Sequence, residues 1–479
     1  MGFVRGQSRD QGSLFPVVLD DLVPETHLVR VIDAFVSRLD LVGLGFGKAE
    51  PAATGRPPYD PGDLLKLYLY GYLNQVRSSR RLERECGRNV ELMWLLNRLA
   101  PDHKTIAQFR RGNALAFKAV CRAFVSFCAE AQLIAGQWVA IDGSKFQAVA
   151  SKRSVVSAAK LDEQLQSIDR QVQGYLETLE AADEAEAGTE EPNQEAVREA
   201  LARLQERRAD VASAQAILEE LKASQHVVGE PEAKLMKTGH GPSLVAYNVQ
   251  TAVDAKHKFV VHHEVTNEPN DSRSLLPMAT AAKEALGAET LSVVADAGYS
   301  NGEQLKGCEQ AGITAYVPVQ RALNNQGEGN YFERAAFAYD AAADTYRCPA
   351  GELLRRKTIN REARLMLYST AACGGCALKG QCTGAKQRWV SRHFEEEVLE
   401  RTRQRLKRYP TAMALRRESA EHPFANLKYG ILGNARFLLR GLTGARGEMA
   451  LAVLAYNFRR ALNVLGVRAM HQSLAIRPA

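Results

Sequence analysis

Two aspartates and a glutamate are the residues whose surroundings could do chemistry. Asp142 follows an apolar run in WVAIDGSKFQAVAS, and Asp296 follows another in LSVVADAGYSN, each with a glycine close behind. Short runs of Val, Ile and Ala read as buried strands, so each aspartate is expected where a strand ends. Two strands of one sheet that end in this way can bring two carboxylates together. Apposed alone they repel, and one is forced neutral. With a divalent cation they become a hard oxygen ligand set of the kind Mg²⁺ takes. An aspartate at a strand end is also an ordinary turn residue, and Asp254 and Asp271 read as no more than a turn residue and a helix N-cap. A third carboxylate, Glu421, lies in LRRESAEHPFANLKYG, four residues after Arg417 and seven before Lys428. On a continuous helix these three share a face. That fits a charged site, and it fits equally a surface ion-pair ladder of little energetic weight. Pro423 either kinks the helix or starts a new one just after Glu421.

The elements that must position these residues fall into segments. Residues 1–135 read as an all-α domain: PGDLLKLYLYGYLNQV has apolar residues at helical spacing from Pro61, and Asp102 is a natural N-cap. Residues 136–156 begin an α/β core and 231–320 continue it. There Tyr247, Val249, Thr251 and Val253 alternate, DAKH turns, and Phe259, Val261, His263 and Val265 return, as in a hairpin. A helix, the LSVVADAG strand, another helix and a short strand follow, which makes a mixed sheet with helices on its faces. Residues 391–479 close the core with Glu421 and long basic helices.

Two inserts interrupt that core. In 157–230, Leu161, Leu165, Ile168, Val172, Tyr175 and Leu179 keep a 4-3-4-3-4 spacing, and Val197, Leu201, Leu204, Val211 and Leu218 take up a comparable seam. That predicts an antiparallel coiled-coil hairpin. In 321–390, Cys348 precedes Cys373, Cys376 and Cys382. The close Cys-x2-Cys pair is half of a structural zinc site, and the other two could complete four thiolates. Unligated thiols in a loop-rich insert are the alternative. Cys86, Cys121, Cys128 and Cys308 have no useful spacing and read as small core residues.

The net charge of +7 is uneven: Leu161–Lys222 holds 16 acidic against 6 basic residues, or −10, which leaves about +17 elsewhere. That excess suits a polyanionic partner. Arg77, Arg80, Arg81, Arg84 and Arg88 recur at helical spacing, with Lys104, Arg110 and Arg111 on the next helix; a solvated charged helix is the bland reading. A second basic run holds Arg401, Arg403, Arg405, Lys407 and Arg408. No segment approaches the roughly 20 apolar residues of a membrane span, and a cytoplasmic protein is expected.

RESAEHPFANLK supplies Arg417, Glu421 and Lys428 in the R-x3-E-x6-K pattern, and in this the chain resembles the DDE transposases of bacterial insertion sequences that carry a Y-x2-R-x3-E-x6-K signature. Ala414 stands in the tyrosine slot. AIDGSKF and ADAGYSN resemble the family's two aspartate segments. GRPPYDPGDLLKLYLYGYL, RSSRRLERE and PDHKTIAQFRR resemble its N-terminal helical domain, so nearly the whole chain is covered. The resemblance implies an RNase H-like core with Asp142, Asp296 and Glu421 as ligands of two Mg²⁺ ions, Mn²⁺ being the substitute ion. It implies metal-dependent cleavage and strand transfer, with Arg417 and Lys428 on phosphates. It implies double-stranded DNA partners, namely terminal inverted repeats met by Arg77, Arg80, Arg81, Arg84, Lys104, Arg110 and Arg111, and target DNA. It also implies a homodimer at the paired ends. A nuclease on the same fold and a catalytically silent DNA-binding regulator are the competing readings.

Overall fold

The structure is a computed structural model that describes residues 18–51, 57–184, 194–220, 225–238, 241–319 and 331–475, without the side chains of 178–184 and 194–198. Its N-terminal part is built from α1 (Leu28–Val36), α2 (Pro61–Leu73), α3 (Ser79–Cys86), α4 (Val90–Leu95), α5 (His103–Gly112) and α6 (Ala114–Glu130). The starts follow from their residues. Asp60 accepts the Gly62 N–H at 2.7 Å while Pro61, which has no N–H to leave unpaired, takes the first helical position. Asp102 accepts from the N–H groups of Lys104 and Thr105.

The core follows: β1 (Trp138–Gln147), β2 (Val155–Ser157), α7 (Ala158–Glu184), α8 (Gln194–Glu220), β3 (Gln225–Val227), β4 (Lys234–Met236), β5 (Leu244–Asp254), β6 (Val260–Thr266), α9 (Leu275–Leu286), β7 (Leu291–Val294), α10 (Gly302–Gln310) and β8 (Ile313–Tyr316). The main sheet runs β6-β5-β1-β7-β8, with β4 pairing the other end of β5. β1 is antiparallel to β5 and parallel to β7, and β7 is parallel to β8. Helices flank this mixed sheet, an architecture compatible with an RNase H-like core.

The strand carrying Asp142 differs from expectation. β1 does not end at the aspartate; it runs on to Gln147, with Asp142 opposite Thr251 of β5. β7, its neighbour on the other side, stops at Val294. The sheet therefore splits beyond Ala140 and Val294, leaving a crevice at the carboxyl end of β7, where ligands bind in open α/β sheets.

α7 and α8 pack on each other through Leu161, Ile168, Val211 and Leu218. Gln215 donates to Asp162 and Arg208 to Asp169, so the partner moves back seven residues as the first helix advances seven, and the pair is antiparallel. Leu179 and Val197 of the expected seam lie outside the described side chains. The cysteine-bearing insert is a sheet rather than a loop: β9 (Ala338–Asp340), β10 (Thr345–Arg347), β11 (Leu353–Asn360), β12 (Leu365–Ser369) and β13 (Val390–His393) pair in consecutive antiparallel order. Phe337, Tyr346, Leu354, Tyr368 and Val390 form its own small core.

The chain then returns through α11 (Glu396–Arg408), α12 (Ala412–Ala425), a π-turn over Asn426–Ile431, α13 (Gly441–Leu465) and α14 (Val467–Ala475). α13 is buried over most of its length and packs on α2, α6 and β6, joining the N-terminal helices to the sheet. Glu448, on its first turns, is fully buried. One oxygen lies 3.4 Å from Arg110 Nη1, and the other accepts from the N–H groups of Leu438 and Leu439. Burying a charge is tolerated only when it is paired in this way. Glu448→Ala would strand the Arg110 charge and two backbone donors, and is expected to lower unfolding free energy by about 3–5 kcal/mol, read as a fall in the urea midpoint.

Candidate active site

The two aspartates reach one another through strand register. β1 and β7 pair in parallel with Ala140 opposite Val294, so Asp142 and Asp296 lie two residues further along each segment. Side chains two apart on a strand share a face. Ala140 and Val294 face α12, where they pack with Ala412 and Ala420; Val139, Ile141, Val293 and Ala295 face the opposite layer with α9 and α10. Small side chains at 140, 412 and 420 let α12 lie close to the sheet. That brings Glu421 to the carboxyl end of the two strands.

Asp296 is fixed by a turn: its Oδ1 accepts from Gly298 N–H at 2.8 Å and starts a short 3-10 turn over Ala297–Tyr299. Asp142 accepts from Gly143 N–H at 2.9 Å. A Cβ at position 143 would fall 2.3 Å from Gln250 Nε2 and 2.7 Å from Asp271 Oδ1, so a larger residue there would push those side chains aside. α12 runs through Pro423 and then widens into the π-turn. Lys428, on that turn, donates from Nζ to Ser144 Oγ at 2.6 Å and stands over the Phe146 ring. Burial depresses its pKa, against the pull of Asp142.

The three carboxylates converge on a residue the sequence reading did not single out. Arg416 Nη2 is 2.9 Å from Asp142 Oδ2 and 3.6 Å from Asp296 Oδ2, and its Nη1 is 3.7 Å from Glu421 Oε1. Arg417, expected on phosphates, is exposed and has no ion-pair contact among the described residues. The carboxylates differ in burial: 13% of the Asp142 side chain is exposed, against 45% for Asp296 and 66% for Glu421. Desolvation pushes the Asp142 carboxyl up to about 6, Asp296 adds to the rise, and Arg416 and the Gly143 N–H oppose it.

Behind Asp142 lies a polar cluster that was also missed. Asp271 is not the N-cap of α9; its carboxylate accepts from Asn248 Nδ2 at 2.7 Å and Gln250 Nε2 at 2.6 Å, with Lys145 Nζ 3.7 Å away. Gln250 accepts in turn from the buried Tyr299 hydroxyl. Burial holds that hydroxyl protonated, reinforced by the charges of Asp271, Asp142 and Asp296. Asp254 is a turn residue, accepting from Gly136 and Lys256 N–H.

The basic residues divide. Arg80, Arg81, Arg84, Lys104 and Arg111 are exposed on α3 and α5. Arg77 and Arg110, expected among the DNA contacts, are turned inward. Arg77 donates to the Arg436 carbonyl and Asn434, and Arg110 donates to the Arg77 carbonyl beside Glu448. A stripe on a helical wheel cannot say which of its positions another helix will cover. On α11, Arg401 and Arg405 are clamped on Glu309, while Lys407 and Arg408 remain exposed.

Cys348, Cys373, Cys376 and Cys382 are free thiols around one small cavity. Burial raises the Cys382 pKa, and the other three thiols add to the rise. Among the described residues, however, no group of three or more His, Cys, Asp or Glu is placed so as to hold a metal ion. The zinc expectation gains no support. The same statement covers the acidic triad, whose members stand apart by the width of a guanidinium. Chemically they do suit a hard divalent ion, being three carboxylates already gathered on one cation.

A family model described as a transposase domain (DUF772) matches residues 17–112, and one described as a transposase DDE domain matches residues 347–462. The first spans the helices carrying Arg80, Arg81, Arg84 and Lys104; the second spans Arg417, Glu421 and Lys428. Matches to two transposase families, in the N-terminal helices and in the C-terminal part, support a DDE transposase of an insertion sequence. It is thus an enzyme of DNA transposition. No curated protein matches it. Among solved structures, the cryo-EM structure of a piggyBac transposase synaptic complex with hairpin DNA aligns over 93% of this chain and 75% of that one, at 10% identity and a TM-score of 0.30.

The raised Asp142 pKa has a signed consequence for stability. Its folded value, about 6, lies above the ordinary 3.8. The native state therefore binds the proton more tightly than the unfolded chain, and stability is lost as pH rises from about 4 through 6. In EDTA, Asp142→Asn is expected to be more stable than wild type above pH 6, by up to ~3 kcal/mol for a carboxyl raised from 3.8 to about 6. The gap should close near pH 4 in paired thermal melts.

Proposed function

We propose that this transposase binds the terminal inverted repeats of its own insertion sequence and carries out Mg²⁺-dependent strand cleavage and strand transfer at Asp142, Asp296 and Glu421, on an RNase H-like core. The observation that carries the reading is the convergence of three carboxylates, from β1, the end of β7 and α12, on a single cation. Nothing in an ordinary surface ion-pair ladder requires three separate elements to meet. The β6-β5-β1-β7-β8 order also supports the RNase H-like assignment. Arg417, Glu421 and Lys428 keep the R-x3-E-x6-K part of the signature, with Ala414 in the tyrosine slot.

When bound at these carboxylates, Mg²⁺ or Mn²⁺ supplies Lewis-acid polarisation of the scissile phosphate and a nucleophile at neutral pH. The chain's own residues do the rest. Asp142, Asp296 and Glu421 provide the anionic seat. Lys428, held near Asp142 by Ser144, presents a point charge to a phosphate, and Arg417, exposed one position from Arg416, offers a bidentate fork. In the first step water adds at phosphorus and the P–O3′ bond breaks, freeing a 3′-OH at the element end. In the second, that 3′-OH adds at a target phosphorus as another P–O3′ bond breaks, so the number of phosphodiester bonds is conserved.

Arg80, Arg81, Arg84, Lys104 and Arg111 form the exposed basic face for the repeats, where phosphate contacts set position and base-edge contacts set sequence. Two ends must be held together, which calls for two copies of the chain. A zinc ion is not part of this reading. Among the described residues no helix is long and apolar enough to cross a membrane.

A labelled duplex bearing the element's end, incubated with Mg²⁺, tests the proposal. Wild type should cut at the end, and Asp296→Asn should still shift the duplex on a gel but cut at least about a thousandfold more slowly, a loss of ~4 kcal/mol in barrier terms. Cutting without preference for the end would replace transposition by nuclease action. Binding with no cutting in either Mg²⁺ or Mn²⁺ would leave a regulator.

A further inference from the structure

Arg416 is the residue at the centre of the site for which neither the signature nor the proposed chemistry has a use. Its guanidinium lies within 2.9–3.7 Å of an oxygen of all three carboxylates, through both terminal nitrogens. It is the adjacent Arg417 that fills the signature position. The Arg416 side chain is largely buried, yet its Nε is shut off from solvent with no hydrogen-bond partner. A buried donor left unserved costs free energy, so the guanidinium sits where the carboxylates draw it and not where its own hydrogen bonding is best met. That unmet bond is a cost of holding the guanidinium there.

The carboxylates, for their part, need a cation. Converging negative charges repel, and one would be forced to take up a proton. The sheet register and the close seat of α12 fix the backbones that carry them, so only side-chain rotation can change their spacing. The guanidinium relieves the repulsion, but it is planar and wide, and around it the triad is not gathered tightly enough to hold a metal ion among the described residues.

We propose that Arg416 is the positioning residue of the metal-free site: its guanidinium stands in the seat of the divalent cation, holds Asp142, Asp296 and Glu421 together there, and competes directly with the ion for them. This rests on the reading of those three residues as the metal ligands. Loading then requires Arg416 to leave, and the apparent affinity for metal is the intrinsic affinity reduced by the fraction of molecules in which the guanidinium is elsewhere. A seat held by Arg416 nine-tenths of the time or more weakens metal binding about tenfold or more. Lysine would compete less well, because a single ammonium cannot bridge three carboxylates as a fork does.

The test is Mn²⁺ binding to the full chain without DNA, followed by the loss of the free-ion EPR signal, in wild type, Arg416→Gln, Arg416→Lys and Asp296→Asn. Arg416→Gln is expected to bind Mn²⁺ about tenfold more tightly than wild type, and Arg416→Lys to fall between. In EDTA, Arg416→Gln should melt below wild type, and saturating Mn²⁺ should close that gap, a response that mere loss of packing would not give. If Arg416→Gln does not fold, Arg416→Lys carries the test by the same sign of change. Unchanged or weaker Mn²⁺ binding in the arginine variants, with binding lost in Asp296→Asn, would overturn the competition while leaving the ligand set standing. Wild-type affinity in Asp296→Asn would overturn the ligand set itself.

Discussion

The parallel pairing of β1 with β7, Ala140 against Val294, is the constraint on which the rest of the site depends. A slip of one residue along either strand would turn its side chains to the opposite face. Asp142 or Asp296 would then point into the apolar layer of α9 and α10 instead of toward α12. The register is held from both faces. Val139, Ile141, Val293 and Ala295 lock one side, and on the other the small surface of Ala140 and Val294 admits α12 closely enough for Glu421 and Arg416 to reach the strand ends. The long antiparallel ladder to β5 keeps β1 straight past the split, so Ser144 and Phe146 stay in place to receive Lys428.

Around that constraint the molecule distributes its charges unequally. The acids of the site sit at one crevice, on a chain otherwise rich in cations. Several of the cations are spent internally: Arg77 fastens the N-terminal part to the segment after the π-turn, Arg110 fastens it to Glu448 of α13, and Arg401 and Arg405 hold α11 against α10. Those left in solvent on α3 and α5 are fewer than the sequence count suggests, but they are grouped.

Much of this was legible in the residues themselves. The two apolar runs, each with an aspartate and a glycine behind it, were visible as strands of one sheet, and the β5–β6 hairpin followed from strict alternation. The strand containing Asp142 reads as if it ends there only because the pattern turns polar. In the fold those polar positions remain paired to β5, since a neighbouring strand satisfies the backbone whatever the side chains are. Arg416 could not be told from Arg417, because which of two adjacent arginines faces a sheet depends on the phase of α12, set by the packing of Ala412 and Ala420. Asp271 was hidden for a related reason: the amides of Asn248 and Gln250 that hold it come from another element. The strands of the cysteine-bearing sheet are mostly three to five residues long, too short for periodicity to register.

The place of α13 in the chain has a consequence for how the protein is made. Its apolar face completes the core of α2 and α6, elements that leave the ribosome some 320 residues earlier in the case of α6, from Ala114–Glu130 to Gly441–Leu465. At about 5–20 residues per second, the nascent helices wait on the order of tens of seconds for the segment that covers them. Glu421 emerges just ahead of that same segment. A chain halted before α13 therefore leaves Phe124 without the Phe458 ring on which it stacks. Emergence of α13 sets the earliest moment at which the N-terminal helices and the sheet can close on one core.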